Sequence, residues 1–179
     1  MGKTITVSYE GKPSYQIEIQ RDFGLLPEKL KELGYGGNRA CIITETTVGK
    51  LYLEEVKGLL SPMFSCCISF VFEAGEASKN TDTVGKVYEH LIQNSFDRKD
   101  VLIALGGGVV GDLTGFAAAT YLRGIDFVQA PTSLLAQTDS SIGGKTGVDF
   151  LQFKNMVGAF YMPKLVYMNI SALKTLPQR

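Results

Sequence analysis

The sequence predicts an α/β fold, a mostly parallel sheet with helices on both faces. Two observations carry that reading. Short, continuously apolar strand-like runs alternate four times with segments of helical period, the pattern of a sheet covered on both sides. One such run, Val101–Leu105, passes straight into three glycines and then into an amphipathic segment, as phosphate-binding turns do. Apolar residues make up 45% and charged residues 20% of the 179-residue chain, ordinary values for one globular domain that buries a sizeable core.

The elements follow in order. Residues 3–9 and 15–20 alternate apolar and polar around Glu10-Gly11-Lys12-Pro13 and predict an antiparallel hairpin. Pro27–Leu33 is a short helix with proline in its first turn and Gly34 as its stop. Ala40–Thr44 is a strand. Thr47–Leu60 puts Val48, Tyr52, Val56, Leu59 and Leu60 on one helical face. After the strand Cys67–Phe72, the helix Thr81–Phe96 turns Val84, Val87, Tyr88, Leu91 and Ile92 inward. The glycine-bounded strand Val101–Leu105 precedes a helix over Val109–Leu122, with Val109, Leu113, Phe116, Ala117 and Tyr121 on its apolar face. Phe127–Ala130 is a strand stopped by Pro131. Residues 140–162 are glycine-rich and predict irregular or hairpin structure. Leu165–Asn169 is the last strand, Leu173–Leu176 opens something helical, and the chain stops at Pro177-Gln178-Arg179 without a closing cap. A piece of a longer polypeptide is therefore expected.

Composition narrows the function classes. Eighteen basic residues balance eighteen acidic ones, which argues against nucleic acid as a partner, and no apolar run is long enough for a membrane-spanning helix. Three cysteines, Cys41, Cys66 and Cys67, with a strand-like start in place of a leader, point to reduced thiols in the cytoplasm. Cys41 reads as a small core residue. The single histidine, His90, falls among Lys86, Glu89 and Gln93 and reads as solvated, so no metal ligand set is expected in this chain.

The candidate site gathers at predicted strand ends. Gly106, Gly108 and Gly111 satisfy G-x-G-x-x-G between a strand and a helix. This is either a phosphate cradle, with Gly107, Val109 and Val110 supplying amides, or a tight turn with close helix–sheet packing. The acidic residue expected some twenty positions on is poorly matched by Asp126. Asp112 either favours a helix start or meets a sugar hydroxyl. Gly75-Glu76-Ala77-Ser78-Lys79 follows another strand, as a capping segment or as a ribose acceptor (Glu76) with a phosphate cation (Lys79). Thr132 and Ser133 either cap the next helix or donate hydroxyls to a ligand. Arg123 is a phosphate fork or a cation favoured by a helix C-terminus. Asp139, Lys145, Lys154 and Asn155 stand isolated among glycine and apolar residues, which favours a lined pocket over a solvated face.

Together these stretches resemble the 3-dehydroquinate synthase family over nearly the whole chain. The likeness is carried by Gly75-Glu76-x-x-Lys79, Gly106 to Asp112, Arg123-Gly124, Pro131 to Ala136, Asp139 to Lys145, Lys154-Asn155 and Leu173 to Pro177. The resemblance implies a Rossmann-like domain that holds NAD on the glycine turn. Its cofactor contacts would be residues 74–79 and 107–112, Thr132, Ser133, Lys145, Lys154, and Ala172, Leu173, Lys174 and Thr175. It further implies that Asp139, Lys145 and Asn155 face a phosphorylated keto sugar acid, and that Arg123 grips the phosphate across a homodimer. The implied chemistry is hydroxyl oxidation by NAD, phosphate elimination, re-reduction, ring opening and aldol closure. The family's helical second domain carries a divalent metal, zinc or cobalt, and its ligands are not expected here, so the chain alone is expected to be inactive. Glu45 and Thr47 stand where the family usually has Asp and Asn. Alternatives are a related cyclase of the 2-deoxy-scyllo-inosose or valiolone type, a glycerol-type metal-dependent alcohol dehydrogenase, or a nucleotide-binding module without chemistry.

Overall fold

The computed structural model describes residues 2–177; Met1, Gln178 and Arg179, and with them the expected abrupt end, lie outside the described residues. Strands β1 (Lys3–Tyr9) and β2 (Lys12–Gln20) pair antiparallel around Glu10 and Gly11. Both turn residues have positive φ, 49° and 75°, the two-residue geometry that matches strand twist. The turn is thus shorter than the four residues expected. Pro13 joins β2 opposite Ser8, beside a shift in the β1–β2 register, where a missing N–H is tolerated.

Strands β3 (Arg39–Glu45), β4 (Cys66–Phe72), β5 (Val101–Gly106), β6 (Asp126–Pro131) and β9 (Leu165–Asn169) complete a seven-stranded sheet in the order β1-β2-β9-β6-β5-β3-β4. All pairs except β1–β2 are parallel. The N-terminal hairpin is therefore no separate flap, because β2 lies parallel to β9 and extends the main sheet. A second sheet, β7 (Lys145–Phe150) with β8 (Phe153–Phe160), is the hairpin expected in the glycine-rich stretch.

Each central strand alternates between two cores. Cys41 and Ile43 of β3, with Leu102 and Ala104 of β5, face helices α4 (Thr81–Gln93) and α5 (Gly108–Thr120). Ala40 and Ile42, with Val101, Ile103 and Leu105, face α1 (Leu26–Glu32) and the helical run beginning at α2 (Thr46–Val48) and ending at α3 (Glu54–Leu60). That run was expected as one regular helix. It contains a π turn over Gly49–Leu53, which re-phases its apolar side so that Val56 and Leu60 reach the core.

Two expectations fail on this scaffold. Ile92 is 65% exposed, because Val84, Val87 and Leu91 fill the buried side of α4 and Ile92 falls beyond it. His90 is not solvated: its ring lies 5.5 Å from that of Phe70, and Nε2 is buried without a hydrogen-bond partner. Its neighbours on α4 are polar in sequence, but β4 covers the ring. Cys41 is fully buried, as expected. No described helix is long and apolar enough to cross a membrane.

Tyr167 is fully buried in β9 and donates to the Asp22 carbonyl at 2.9 Å. Burial pushes its phenol up to about 12. Below pH 10 its contribution to stability is complete, and it is lost as the pH rises through the folded value, since the unfolded chain ionises first. Tyr167→Phe is expected to flatten the fall in stability between these limits by up to one proton, while costing about 1 kcal/mol at neutral pH. Urea melts at a series of pH values read both effects.

Candidate functional site

The site grows from the order of the strands. The chain runs from β3 outward to β4, then returns to place β5 on the other side of β3. At such a switch point the loops leaving two adjacent strands diverge and open a crevice at their carboxyl ends. Here those loops are Glu45–Thr46 after β3 and Gly106–Gly107 after β5.

Helix α5 starts in this crevice. Its cap, Gly107, is extended (φ −80°, ψ −167°) and gives no side-chain cap, so the first-turn amides receive no hydrogen bond from the cap residue's side chain. A Cβ on Gly107 would meet only Ser133 Oγ, at 3.4 Å, and one on Gly108 would lie 3.1 Å from Ser140 Oγ. The hydroxyl oxygens of Ser140 and Ser141 are buried without hydrogen-bond partners among the described residues. The start of α5 is bare, while Gly111 packs so close to β6 that a Cβ would approach Gln129 Oε1 at 2.7 Å.

Beside the turn lies a cavity of about 430 Å³ lined by Asp112, Asp139, Ser140, Lys145, Thr146 and Asn155, among others. Four sequence-predicted residues, Asp112, Asp139, Lys145 and Asn155, are therefore brought together from α5, a π turn (Ala136–Ser140) and the β7–β8 hairpin. Gly144, at φ 66°, makes the bend that starts β7 at Lys145.

The charges are arranged differently from expectation. Lys79 is buried, and its Nζ donates to Asp112 Oδ2 at 2.6 Å and to Asn155 Oδ1 at 2.5 Å. It serves the protein's own carboxylate before any ligand. Burial pushes the Asp112 carboxyl above the usual range; Lys79 opposes this, and Glu76 and Asp149 add to it. Asp112 also sits a full turn inside α5, with no acidic residue in the first turn, so the helix-start role does not apply. Glu76 and Lys154 form an exposed ion pair at 3.3 Å.

The segment 74–79 is partly a capping device. Ala74 N donates to Thr46 Oγ1, Ser78 Oγ donates to the Glu73 carbonyl, and Asn80 caps α4. Gly75 and Ala77 line no part of the cavity. Ser133 Oγ accepts from Ala136 N at 3.3 Å, while Thr132 is buried. The Glu45 carboxylate accepts from the amides of Thr47 and Val48, a cap that the sequence did not suggest. Ala172, Leu173, Lys174 and Thr175 form a 3-10 turn after β9, where Thr175 Oγ1 lies 2.7 Å from the Tyr52 hydroxyl. Arg123 lies past the far end of α5, roughly 20 Å from Gly108 along the helix, so it does not reach this cavity within one chain. It is exposed in a left-handed stretch, with Leu122 at φ 52° and Arg123 at 65°. Sequence reasoning missed Asp149 as an anchor: its carboxylate accepts from Asn155 N at 2.8 Å, a pairing across the hairpin that leaves no sequence signal. Among the described residues, no group of three or more His, Cys, Asp or Glu side chains is placed to hold a metal ion.

A parallel sheet with a bare glycine turn at its switch point and a charged cleft alongside defines a Rossmann-like α/β domain. Solved structures share it. A 2-deoxy-scyllo-inosose synthase, solved with carbaglucose-6-phosphate, NAD+ and Co2+, superposes with a TM-score of 0.87 at 24% identity over 99% of this chain and 48% of its own. The 2-epi-5-epi-valiolone synthase of Streptomyces hygroscopicus, solved with NAD+ and Zn2+, gives 0.79 at 31% identity over 95% and 47%. The model of the 3-dehydroquinate synthase N-terminal region matches residues 69–179, and the chain belongs to that family. The 3-dehydroquinate synthase of Acetivibrio thermocellus is 51% identical over 93% of this chain and 46% of its own length. That of Nitrosospira multiformis is 47% identical over 99% and 49%. The chain spans about half the length of the curated relatives it matches.

Gly115 sets the spacing of the site. An added Cβ would lie 2.4 Å from Thr146 Cγ2 of β7 and 3.1 Å from Phe127 Cζ of β6, wedging the hairpin off the sheet. Gly115→Ala is expected to destabilise by about 1–2 kcal/mol despite alanine's better helix propensity, lowering Tm by about 2–8 °C. A thermal melt at neutral pH checks this, and an unchanged or higher Tm refutes the close packing.

Proposed function

We propose that this chain is the NAD-binding domain of a 3-dehydroquinate synthase. In that reading residues 1–179 supply the cofactor site and half of the substrate site for converting a phosphorylated keto sugar acid to 3-dehydroquinate and phosphate. The observation that carries it is the Gly107 cap: the start of α5 has no side-chain cap on its amides, next to the Asp112–Asp139–Lys145–Asn155 cavity. Identity near 50% to 3-dehydroquinate synthases, against 31% to the valiolone-type cyclase, favours this substrate over the related rings.

The dinucleotide fits the residues present. Its diphosphate would lie on the Gly107–Gly108 amides, favoured by the helix dipole, with the unpaired hydroxyls of Ser140 and Ser141 beside it. Thr132 and Ser133 would border it from the end of β6, and Glu76 and Lys154 from the rim. Bound there, NAD supplies a reversible hydride acceptor for a substrate hydroxyl. The protein's part is orientation and charge: Lys145 offsets an anionic ligand, Asn155 offers an amide, and Asp139 accepts from hydroxyls. The divalent metal that the family implies does not fit the described residues, and no step is assigned to it. Arg123, too distant for its own cavity, fits a phosphate held by a second copy in a homodimer. Cytoplasmic location is consistent with the three free cysteines.

Calorimetric titration tests the reading. The chain is expected to bind NAD+, and Gly107→Val, whose Cβ meets only Ser133 at an ordinary distance, is expected to keep the Tm and weaken binding at least tenfold by covering the amides. Equal affinity in both proteins refutes the assigned turn. In a phosphate-release assay the chain alone is expected to be silent and to gain activity when mixed with the C-terminal half of the Acetivibrio thermocellus relative. Turnover without that half contradicts the division of labour.

A further inference from the structure

The cavity contains one arrangement that cofactor binding does not require. Lys79 is buried, and its ammonium contacts both Asp112 of α5 and Asn155 of the hairpin. An ammonium carries donors only. Whatever lies 2.5 Å from it on Asn155 must therefore be the amide oxygen, and the NH2 must be the other end. Asn155 lines the cavity, and its Nδ2 makes no hydrogen bond to any described residue. We propose that Lys79 is a positioning residue: by holding Oδ1, it turns the Asn155 NH2 toward the cavity as the donor offered to an oxygen-rich ligand.

The backbone supports the same orientation. Asn155 interrupts β8 at φ 52°, a left-handed conformation that asparagine tolerates better than most residues. The conformation is held from two sides. Asn155 N donates to Asp149 Oδ1 at 2.8 Å, and Asp149 N donates to the Lys79 carbonyl at 2.8 Å. Lys79 thus grips the hairpin by its backbone and the amide by its side chain. Asp112, 2.6 Å from Nζ, offsets the buried charge and ties the arrangement to α5. A free asparagine on the surface would present oxygen or NH2 indifferently. Here one face is already taken, so the cavity is presented with a donor, and a ligand rich in phosphate, carboxylate or hydroxyl oxygens gains a partner whose orientation costs nothing on binding.

The inference rests on the proposed reading of the cavity, and a double-mutant cycle separates the two. The probe is 6-phosphogluconate, a phosphorylated sugar acid, titrated by calorimetry with saturating NAD+. Asn155→Gly, which keeps the positive φ, is expected to weaken probe binding about tenfold, the size of one hydrogen bond to a charged group. In a Lys79→Met background the same Asn155→Gly change is expected to cost less than twofold, because the amide is no longer aimed. If Lys79→Met alone folds poorly, the cycle is run in Lys79→Met/Asp112→Asn, which removes both charges of the pair. Independent, multiplying effects of Lys79 and Asn155 overturn the inference, as does an Asn155→Gly protein that binds the probe as well as the parent, or a parent that does not bind it at all. A side-chain amide NMR signal, assigned to Asn155 by its loss in Asn155→Gly, is expected to shift in Lys79→Met without ligand; an unmoved signal also overturns the inference. NAD+ titration of the unsubstituted chain is a separate arm, and its failure condemns the cofactor reading whatever the cycle gives.

Discussion

The close approach of α5 to the layers on either side of it governs the rest of the structure. The helix packs against the parallel sheet and against the β7–β8 hairpin within one shared apolar core. Gly111 admits Gln129 of β6, and Gly115 admits both Phe127 of β6 and Thr146 of β7. Removing those side chains costs helix propensity, and what is gained is distance. A hairpin seated directly on α5 brings Lys145 and Asn155 to the same cavity as Asp112, and that cavity opens beside the amides at the start of the same helix. A helix with ordinary side chains at these positions would hold the hairpin further off and pull the cavity apart.

Electrostatics then decides which groups are available to a ligand. Charges drawn out of water cost free energy if left alone, and the half-buried Asp112 carboxylate and the buried Lys79 ammonium answer one another. The residual cost shows in the Asp112 carboxyl, which burial keeps above the usual range even with Lys79 in contact. Glu45 is tied to the amides of its own helix start, and Glu76 and Lys154 pair across the rim. Lys145 forms no ion pair among those found in the described residues, and it lines the cavity from the first position of β7.

The same helix also separates functions in space. Its N-terminal end faces the crevice between β3 and β5, and its C-terminal end leads into the left-handed stretch that exposes Arg123. The two ends are one helix length apart, so a ligand at the first cannot touch the second.

Much of this was legible in the sequence, because the relevant forces are local. Apolar runs of strand length between helical periods gave the parallel sheet, since a strand buried on both faces admits few polar residues. Glycines after Val101–Leu105 marked the turn, and Asp139, Lys145 and Asn155 stood out as charged or polar groups in an otherwise glycine-rich or apolar stretch. Strand order, the union of β2 with β9 and the switch point were not legible, since register between distant strands leaves no trace in a single chain. Nor were the partners of the charges. Lys79 reads as a free cation next to a glycine loop, and only the fold shows that residues 33 and 76 positions away take its hydrogen bonds. His90 failed for the same reason: its sequence neighbours are polar, but Phe70 from another strand covers its ring. The sequence by itself determined which groups are present and which segments are strand or helix, through period and turn chemistry. The tertiary structure alone decided which of those groups meet, because contact, burial and charge pairing depend on distances that the order of residues does not encode.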